Sequence, residues 1–293
     1  MMATGAADER LFHRVRIGEV DVTAISDGYL SIDPKMLPKS TPEEVAPLLE
    51  AAGLPQGPVR ASINSFVIDT PGQRILIDAG LGPGLADTAG RLCDSLKAAG
   101  VTPESVDVIL LTHLHRDHVR GITSHDGKAV FPNAQVMLHE ADRSFWTDEA
   151  EESRAPAFAK QYFPIARAAL QPYAPRTSTF SASREVVPGI EAVHAPGHTP
   201  GHTMYRIVSG GSSLLIAADI AHMPALQFAR PDWSIALDVD GEMAAESRCR
   251  ILDAAVSDRE LLTGMHFTFP SFGRFRPAGR GYVFEPEAIA ARA

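Results

Sequence analysis

Four potential metal ligands lie within six residues of this sequence, in the segment THLHRDH. They are His113, His115, Asp117 and His118. Imidazole and carboxylate groups together suit zinc, and also manganese, iron or cobalt. One ion cannot use all four side chains at good angles over so short a stretch, so the spacing favours two ions. A solvated polar turn is the alternative interpretation of these residues.

Three further side chains of the same kinds stand later in the chain, each after a Gly or a predicted strand: His198 in PGHTPGH, Asp219 in IAADIAH and His266 in TGMHFTFP. We predict that they complete the ligand set. Histidines that bind metals usually donate their second ring nitrogen to a carboxylate or carbonyl. Asp78 in DAG is the candidate for that role, with a turn-capping carboxylate as the alternative. His202 is predicted to hold the PGHTPGH turn.

Three other histidines carry a weaker signal for metal binding. They are His139, His194 and His222, and for each we favour a structural role over that of a ligand.

The elements that must position these residues alternate between strands and helices. VDVILLT, directly before His113, is a continuous apolar run that predicts a buried strand, and the loop that leaves such a strand commonly carries the chemistry of an α/β protein. Hairpins are predicted over 15–25 and 65–78, and further strands over 135–138, 203–208, 213–217 and 261–264. Helices are predicted over 91–99, 140–146, 154–170 and 241–256. This order suggests an α/β (α+β) sandwich of two sheets flanked by helices, with residues 1–293 as one domain.

The segment from Pro34 to Pro58 differs from its surroundings because it holds six prolines and one helical stretch, PEEVAPLLEAAG. It lies between the two predicted hairpins. We interpret it as a candidate lid over a pocket.

The composition excludes several classes of protein. With 45% hydrophobic residues, the 293-residue chain can build a packed core. A formal charge of -9 opposes binding to a phosphate backbone, so a small-molecule substrate is favoured over nucleic acid. Cys93 and Cys249 are too few for a disulfide framework. The start MMATGAADERLFHR lacks the apolar core of a signal peptide, and no stretch reaches the ~18 apolar residues of a membrane span. We therefore predict a cytoplasmic chain without a membrane partner.

The motifs HLHRDH, APGHTPGH and DAG, with Asp219 after LLIAA and a late His266, resemble the metallo-β-lactamase superfamily over nearly the whole chain. The resemblance implies an αββα sandwich of two mixed sheets, with two divalent metal ions, zinc in the first instance, at one edge. It further implies one ion on His113, His115 and His198, a second on Asp117, His118 and His266, and Asp219 bridging both. A hydroxide that also bridges the ions would attack the substrate, with Asp117 and Asp219 as catalytic residues.

The segments DIAHMPALQFARPDWSIALDVD and GMHFTFPSFGRF resemble one branch of that superfamily, the methyl parathion hydrolases and their lactonase relatives. The implied substrate is an apolar ester-like molecule, above all a lactone of the acyl homoserine type, with phosphotriesters or aryl esters as side substrates. An apolar pocket is then expected, although ordinary core packing is the alternative for each candidate residue. The candidates are Trp146, Met223, Leu226, Phe228, Trp233, Phe267, Phe269 and Phe272.

Three other functions remain open on the sequence. A thioesterase like glyoxalase II shares the ligands but usually has a basic C-terminal helical region, whereas only a short strand-like tail follows His266 here. A mononuclear iron oxygenase of the persulfide dioxygenase kind leaves the second metal site empty, which the presence of Asp117, His118 and Asp219 opposes. A sensing or scaffold protein with a structural metal is the third alternative. A homodimer is compatible with the resemblance.

Overall fold

Two seven-stranded β-sheets form the centre of the computed structural model, which describes residues 10–270 and 272–287. The first sheet contains β1 (Phe12–Ile17), β2 (Val20–Ile32), β3 (Val59–Thr70), β4 (Gln73–Ile77), β5 (Val108–Leu110), β6 (Gln135–His139) and β7 (Thr177–Phe180). The second contains β8 (Arg184–Val187), β9 (Ile190–His194), β10 (Thr203–Ser209), β11 (Ser212–Ile216), β12 (Leu261–Thr263), β13 (Gly273–Ala278) and β14 (Gly281–Pro286).

Eight helices accompany the sheets in the described residues. They are α1 (Pro42–Ala51), α2 (Leu92–Ala98), α3 (Arg116–Val119), α4 (Glu140–Thr147), α5 (Glu149–Arg154), α6 (Tyr162–Leu170), α7 (Pro224–Gln227) and α8 (Gly241–Asp258). Apolar residues of α2, α4 and α6 pack on the outer face of the first sheet. Those of α8 pack on the outer face of the second sheet. The predicted sandwich of two mixed sheets flanked by helices is therefore confirmed.

Both sheets combine antiparallel and parallel pairs. Strands β1 to β4 are antiparallel, and β4 to β7 run parallel to one another. In the second sheet only β11 and β12 are parallel, and the other neighbouring pairs are antiparallel. Parallel neighbours end at the same edge of a sheet, so the loops after β4 and β5 meet, as do those after β11 and β12. These loops carry the residues that the sequence singled out.

The strand before the HLHRDH segment is apolar throughout because both of its faces are buried. Val108 and Leu110 of β5 point into the core between the sheets, while Ile109 points toward the helices outside the first sheet. The same alternation occurs in β11, where Leu214 and Ile216 face the first sheet. Side chains alternate between the two faces of a strand, so a strand covered on both sides reads as a continuous apolar run.

The predicted helix over 154–170 is wrong in its first half. Helix α5 ends at Arg154, and α6 begins only at Tyr162. Ala155 has extended backbone angles, φ -62° and ψ 148°, because the ring of the following Pro156 disfavours a helical conformation at the residue before it. Strands β7 to β9, which precede His198, were not predicted.

The segment from Pro34 to Pro58 packs against the loop that follows Asp219. The N–H of Ala236 donates to the carbonyl oxygen of Met36 at 2.7 Å. Helix α1 shares an apolar cluster with that loop, formed by residues that include Val45, Leu49, Met223, Leu226 and Trp233. The segment is therefore docked beside the predicted site, and its opening and closing as a lid stay a prediction.

Among the described residues, no helix is long and apolar enough to cross a membrane. Cys93 and Cys249 are both free thiols. Most of the N-terminal stretch from which we predicted the absence of a signal peptide, residues 1–9, lies outside the described residues.

Candidate metal centre

The seven predicted ligands lie at the sheet edge where parallel strands end. His113 and His115 follow β5, and Asp117 and His118 lie in the short helix α3. The other three are His198 between β9 and β10, Asp219 after β11, and His266 after β12. The N–H of Thr203 donates to the carbonyl oxygen of Thr112 at 2.9 Å and joins the two sheets at this edge. The fold therefore brings together ligands that are up to 153 residues apart (266 minus 113).

One carboxylate oxygen, Oδ2 of Asp219, lies at the centre of the cluster. Nε2 atoms surround it, from His266 at 3.1 Å, His118 at 3.2 Å, His198 at 3.4 Å and His113 at 3.6 Å. His115 faces the cluster through Nδ1, which lies 3.0 Å from Nε2 of His198. Oδ2 of Asp117 is 3.7 Å from Nε2 of both His118 and His266. All seven predicted ligands are therefore in one place.

Two of the four groups of potential ligands within the described residues are those that the resemblance implied, and another combines His198 and Asp219 with His222. Potential ligand atoms of His113, His115 and His198 lie within 4.8 Å of one another, and so do those of Asp117, His118 and His266. Nε2 of His113, Nε2 of His118 and Oδ1 of Asp219 are buried without a hydrogen-bond partner. Buried polar atoms are almost always paired, and orphaned ones are costly. These unpaired nitrogen and oxygen atoms converge on one place, which fits a pair of divalent cations.

The charges within the cluster depend strongly on one another. Burial lowers the pKa of His113 and of His115 well below the usual value, which leaves both rings neutral. Burial opposes a charge on His118 as well, but the carboxylates of Asp219, Asp117 and Asp78 raise its pKa well above the usual value. Burial also opposes ionisation of Asp219, yet imidazoles around it, His118 first, hold its pKa well below the usual value. A cation that binds His118 must displace its proton, so we expect metal affinity to fall as the pH falls.

The buried carboxylate of Asp78 is connected to one histidine from each group. Its Oδ2 accepts hydrogen bonds from Nδ1 of His118 and from Oγ1 of Thr112, each at 2.7 Å. Since the hydroxyl of Thr112 donates to Asp78, it accepts from Nδ1 of His113 at 2.9 Å. Asp78 has a φ of +56°, in the left-handed region that only Gly, Asn and Asp visit routinely. The role predicted for Asp78 therefore has a direct geometric basis.

His202 supports Asp219 from behind. Its Nδ1 donates to the carbonyl oxygen of Ala195 at 2.8 Å, so Nε2 is free to accept the N–H of Asp219 at 3.1 Å. Ala218, just before Asp219, has a φ of +46°, which is strained for a residue with a side chain. His202 thus fixes the backbone of a strained turn that aims Asp219 into the cluster, in addition to its predicted place in the PGHTPGH turn.

Sequence reasoning missed three residues that position ligands. Oδ1 of Asp238 lies 2.8 Å from Nδ1 of His198, and the carbonyl oxygen of Ser62 lies 2.7 Å from Nδ1 of His266. The side chain of Asn64 donates to the carbonyl oxygens of Gly264 and Phe267 on either side of His266, at 3.0 and 2.9 Å. No local spacing connects these pairs, because Asp238 is 40 residues from His198 and Ser62 is 204 residues from His266.

The three histidines with a weaker signal separate in the structure. His139 and His194 stack on each other with ring centroids 4.2 Å apart, and neither belongs to a group of potential ligands within the described ranges. His222 is different, because its Nε2 lies 3.1 Å from Oδ2 of Asp219. The structure therefore adds an eighth side chain to the cluster, three residues after Asp219 in the sequence.

All eight predicted pocket residues are buried among other apolar side chains. Trp146 packs edge-on against His115, with ring centroids 5.1 Å apart. The others divide among three apolar clusters: Met223, Leu226 and Trp233 beside α1, Phe228 and Phe267 beneath α8, and Phe269 and Phe272 between the sheets. Core packing accounts for their burial, and a contact with substrate stays a prediction for each of the eight.

The partly exposed side of the cluster lies around Asp117, whose side chain is 16% exposed. Tyr162 of α6 flanks it, with its ring centroid 4.8 Å from that of His115 and 5.9 Å from that of Trp146. Arg116 lies over the ring of Tyr162 at 6.0 Å. Tyr162 was not among the predicted pocket residues, and the YFP segment that contains it gives no signal beyond its aromatic character.

A second buried carboxylate near the centre, that of Asp142 on α4, gives a prediction about stability. Its Oδ2 accepts from Oγ1 of Thr199 at 3.0 Å, and burial raises its pKa from 3.8 to about 7. Between about pH 4 and pH 7 the folded chain therefore holds this proton more tightly than the unfolded chain, so stability falls as the pH rises through that window. The loss is roughly 4 kcal/mol at most, since one pKa unit corresponds to about 1.4 kcal/mol.

The variant Asp142→Asn tests this because it keeps an acceptor for Thr199 and has no titrating proton. We expect its free energy of unfolding in urea to exceed that of the wild type by more at about pH 8 than at about pH 5. Both proteins must carry the same metal load. An identical pH dependence in the two proteins would refute the buried-acid interpretation.

Comparisons with known proteins agree with this geometry. The family model of the metallo-beta-lactamase superfamily matches residues 59–261. An N-acyl homoserine lactonase of Bacillus cereus is 24% identical over 172 residues, which are 59% of this chain and 60% of that protein. The chain therefore aligns with less than two thirds of the length of this curated relative.

Two solved structures are similar over almost their whole length. AidC, a dizinc quorum-quenching lactonase in complex with a product, superposes with a TM-score of 0.90 and 26% identity, covering 96% of this chain and 100% of AidC. AbOPH, a hydrolase in the beta lactamase superfamily, has a TM-score of 0.90 and 30% identity, covering 98% of this chain and 99% of AbOPH. With the family model matching more than half of the chain, these findings show that the chain belongs to the metallo-beta-lactamase superfamily.

Proposed function

We propose that this chain is a dinuclear metal-dependent hydrolase of lactones of the acyl homoserine type, with aryl esters and phosphotriesters as side substrates. One observation carries the proposal. Seven His and Asp side chains converge at the edge of a sandwich that superposes on a dizinc lactonase over 96% of this chain. The lactonase similarity in sequence supports the same substrate class. A fold alone does not name a substrate, so the substrate has to be tested directly.

Some side chains of the centre would bind cations, and others orient the side chains that bind them. His113, His115 and His198 would hold one cation, Asp117, His118 and His266 the second, and Asp219 both. Zinc suits this donor set first. Two bound cations would polarise the substrate oxygen and make water nucleophilic at neutral pH. The chain contributes orientation, because Asp78, Asp238 and Ser62 each accept from the second ring nitrogen of a ligand histidine.

Asp117 is proposed to carry the proton that the leaving oxygen of the opened lactone requires. It is the carboxylate of the cluster on the partly exposed side, where a substrate enters. The variant Asp117→Asn retains an oxygen that can bind a cation but cannot carry a proton. We expect it to keep metal while kcat falls about 10²-fold or more, the usual range for loss of a general acid. A variant that keeps both metals and the full rate would show that the acid role is wrong.

The substrate proposal is tested by initial rates of the metal-loaded chain on four compounds. They are an acyl homoserine lactone, an aryl acetate, methyl paraoxon and a glutathione thioester. We expect the highest kcat/KM on the lactone. A chain that cleaves only the thioester would belong with the glyoxalase II-like alternative, and oxygen uptake with one iron per chain would indicate the oxygenase.

A further inference from the structure

Helix α8 carries a buried cation next to the cluster. Arg248 is 1% exposed, and its guanidinium donates to three backbone carbonyl oxygens. They are those of Ile220 at 2.5 Å, Pro231 at 2.8 Å and Trp233 at 2.9 Å. Within the described residues Arg248 forms no ion pair with a carboxylate. The side chain therefore binds backbone and not a charged partner.

A cation in this position is energetically unfavourable unless its contacts offset the loss of water. Burial lowers the pKa of Arg248 from its usual value, and the carboxylate of Asp238 opposes that shift. Removing a charged side chain from water costs free energy that a buried ion does not always recover, so burial of an ion is weak evidence for a role in stability. A role in the geometry of the bound backbone is the better explanation, because the five N–H groups of a guanidinium form a rigid, planar fork.

The three carbonyl oxygens belong to the two ends of one segment, residues 220–238, which leads from Asp219 toward α8. Ile220 directly follows Asp219, and the other two acceptors lie near the far end. One side chain thus joins the start of the segment to its end. The start is also fixed independently, because the N–H of Asp219 donates to Nε2 of His202 at 3.1 Å. The far end therefore depends more on Arg248 than the start does.

The far end of the segment holds a predicted ligand histidine. Oδ1 of Asp238 lies 2.8 Å from Nδ1 of His198, and Oδ2 of Asp238 accepts the N–H of Ile235 at 2.9 Å. Arg248 also lines a small cavity of about 10 Å³ together with His198 and Asp219. A displacement of the far end would move the carboxylate of Asp238 away from the ring that it orients.

We propose that Arg248 is a positioning residue that ties the far end of the 220–238 segment to its start and so holds the carboxylate of Asp238 against His198. This inference rests on the proposed dinuclear hydrolase and adds to it a residue that touches neither cation nor substrate. Lysine cannot replace Arg248 in this role, because a single ammonium group lacks the planar fork that reaches both ends of the segment.

The test measures the affinity for each of the two cations by competition with a chromophoric chelator, without substrate. Arg248→Lys should weaken the cation that Asp238→Asn weakens by about tenfold, the lower end of the effect of losing a partner of a ligand. The affinity for the other cation should stay within about threefold of the wild type, close to the scatter between independent sites. Arg248→Gln, which removes the buried charge and keeps one amide donor, should show the same asymmetry.

A double-mutant cycle separates positioning through Asp238 from a general loosening of the fold. In the Asp238→Asn background, Arg248→Lys should weaken the same cation further by less than about threefold, because the contact through which it acts is already impaired. Equal weakening of both cations would overturn the inference. Wild-type affinities in both Arg248 variants, or effects that multiply in the double variant, would overturn it as well.

Arg206→Lys is the matched control. Arg206 is a partly buried arginine on β10 that binds both carboxylate oxygens of Glu260, at 2.6 and 3.1 Å, and neither residue belongs to a group of potential ligands in the described ranges. The same substitution there should leave both affinities unchanged, and a loss equal to that in Arg248→Lys would overturn the inference. Because affinity is measured without substrate, the rates on the four compounds test the proposed function separately.

Discussion

Replacement of Asp219 by Asn is expected to release at least one bound cation per chain and to lower kcat/KM for the lactone more than about 100-fold. The carboxylate faces the Nε2 atoms of four predicted ligands within 3.6 Å, and the amide would turn a donor group toward them. Mutation of a residue that hydrogen-bonds to a metal ligand typically lowers metal affinity or activity 10–100-fold. Mutation of the residue at the centre of the cluster should have a larger effect. Elemental analysis after gel filtration and initial rates measure the two effects.

The control for Asp219→Asn is Asp142→Asn, the same change at a fully buried carboxylate that belongs to neither ligand group. It should keep two cations and a rate within a few-fold of the wild type. If Asp219→Asn retained both cations and the wild-type rate, Asp219 could not be the residue shared by the two groups.

Asp78→Asn is expected to weaken the binding of both cations by about 10–100-fold each. Oδ1 of Asp78 accepts the N–H of Thr112, and Oδ2 accepts from Nδ1 of His118 and the hydroxyl of Thr112, so an amide nitrogen faces a donor in either orientation. Through Thr112 the change also disturbs His113. His113 and His118 belong to different ligand groups, so both groups lose orientation. Asn is the suitable replacement because it tolerates the positive φ of this position. Competition with a chromophoric chelator gives the two affinities.

The matched control for Asp78→Asn is Asp238→Asn, which leaves one acceptor oxygen for two donors, Nδ1 of His198 and the N–H of Ile235. We expect it to weaken the first of the two cations and to leave the affinity for the second almost unchanged. If Asp78→Asn weakened the binding of only one cation, Asp78 would orient His118 alone, and its connection to His113 through Thr112 would have no effect on metal affinity.

The fold and the clustering of the predicted ligands could be predicted because their sequence signals are local. The apolar run of β5 reflects a strand buried on both faces, and the histidines stand directly after it. PGHTPGH and the Asp219 turn are likewise attached to strand ends. The parallel pairs bring together the ends of β4 and β5 and those of β11 and β12, and PGHTPGH reaches the same edge because β10 is antiparallel to β11. Spacing and resemblance therefore made the seven-residue cluster a reasonable expectation.

The orienting residues and His222 were not predictable in the same way. Asp238 reaches His198 only because the segment before α8 folds back over the PGHTPGH loop, where the N–H of Val239 donates to the carbonyl oxygen of His198. His222 follows a turn whose strained residue, Ala218, is an ordinary alanine in the sequence. Helix α5 ends before Pro156, because the proline ring disfavours a helical conformation at Ala155. The helical pattern of the neighbouring residues led to the prediction of one continuous helix.

Burial changes the interpretation of the predicted pocket. Aromatic residues near metal-binding motifs suggested a lining, yet Phe228 and Phe267 pack edge-on against each other with centroids 5.2 Å apart, beneath α8. Tyr162, beside His115 and itself only 7% exposed, was outside the prediction. Composition reports which residues are apolar but not which of them face solvent, and that difference separates a core from a binding surface.

Metal content measured together with lactone hydrolysis tests whether two cations held by this cluster carry out hydrolysis. The purified chain is analysed for metals, stripped with a chelator and reloaded with zinc, and the initial rate is taken at each stage. We predict two ions per chain, loss of hydrolysis on stripping and its return on reloading. A stripped chain that still hydrolyses the lactone, or a single iron with oxygen uptake and no hydrolysis, would show that the chain is not a dinuclear metal-dependent hydrolase.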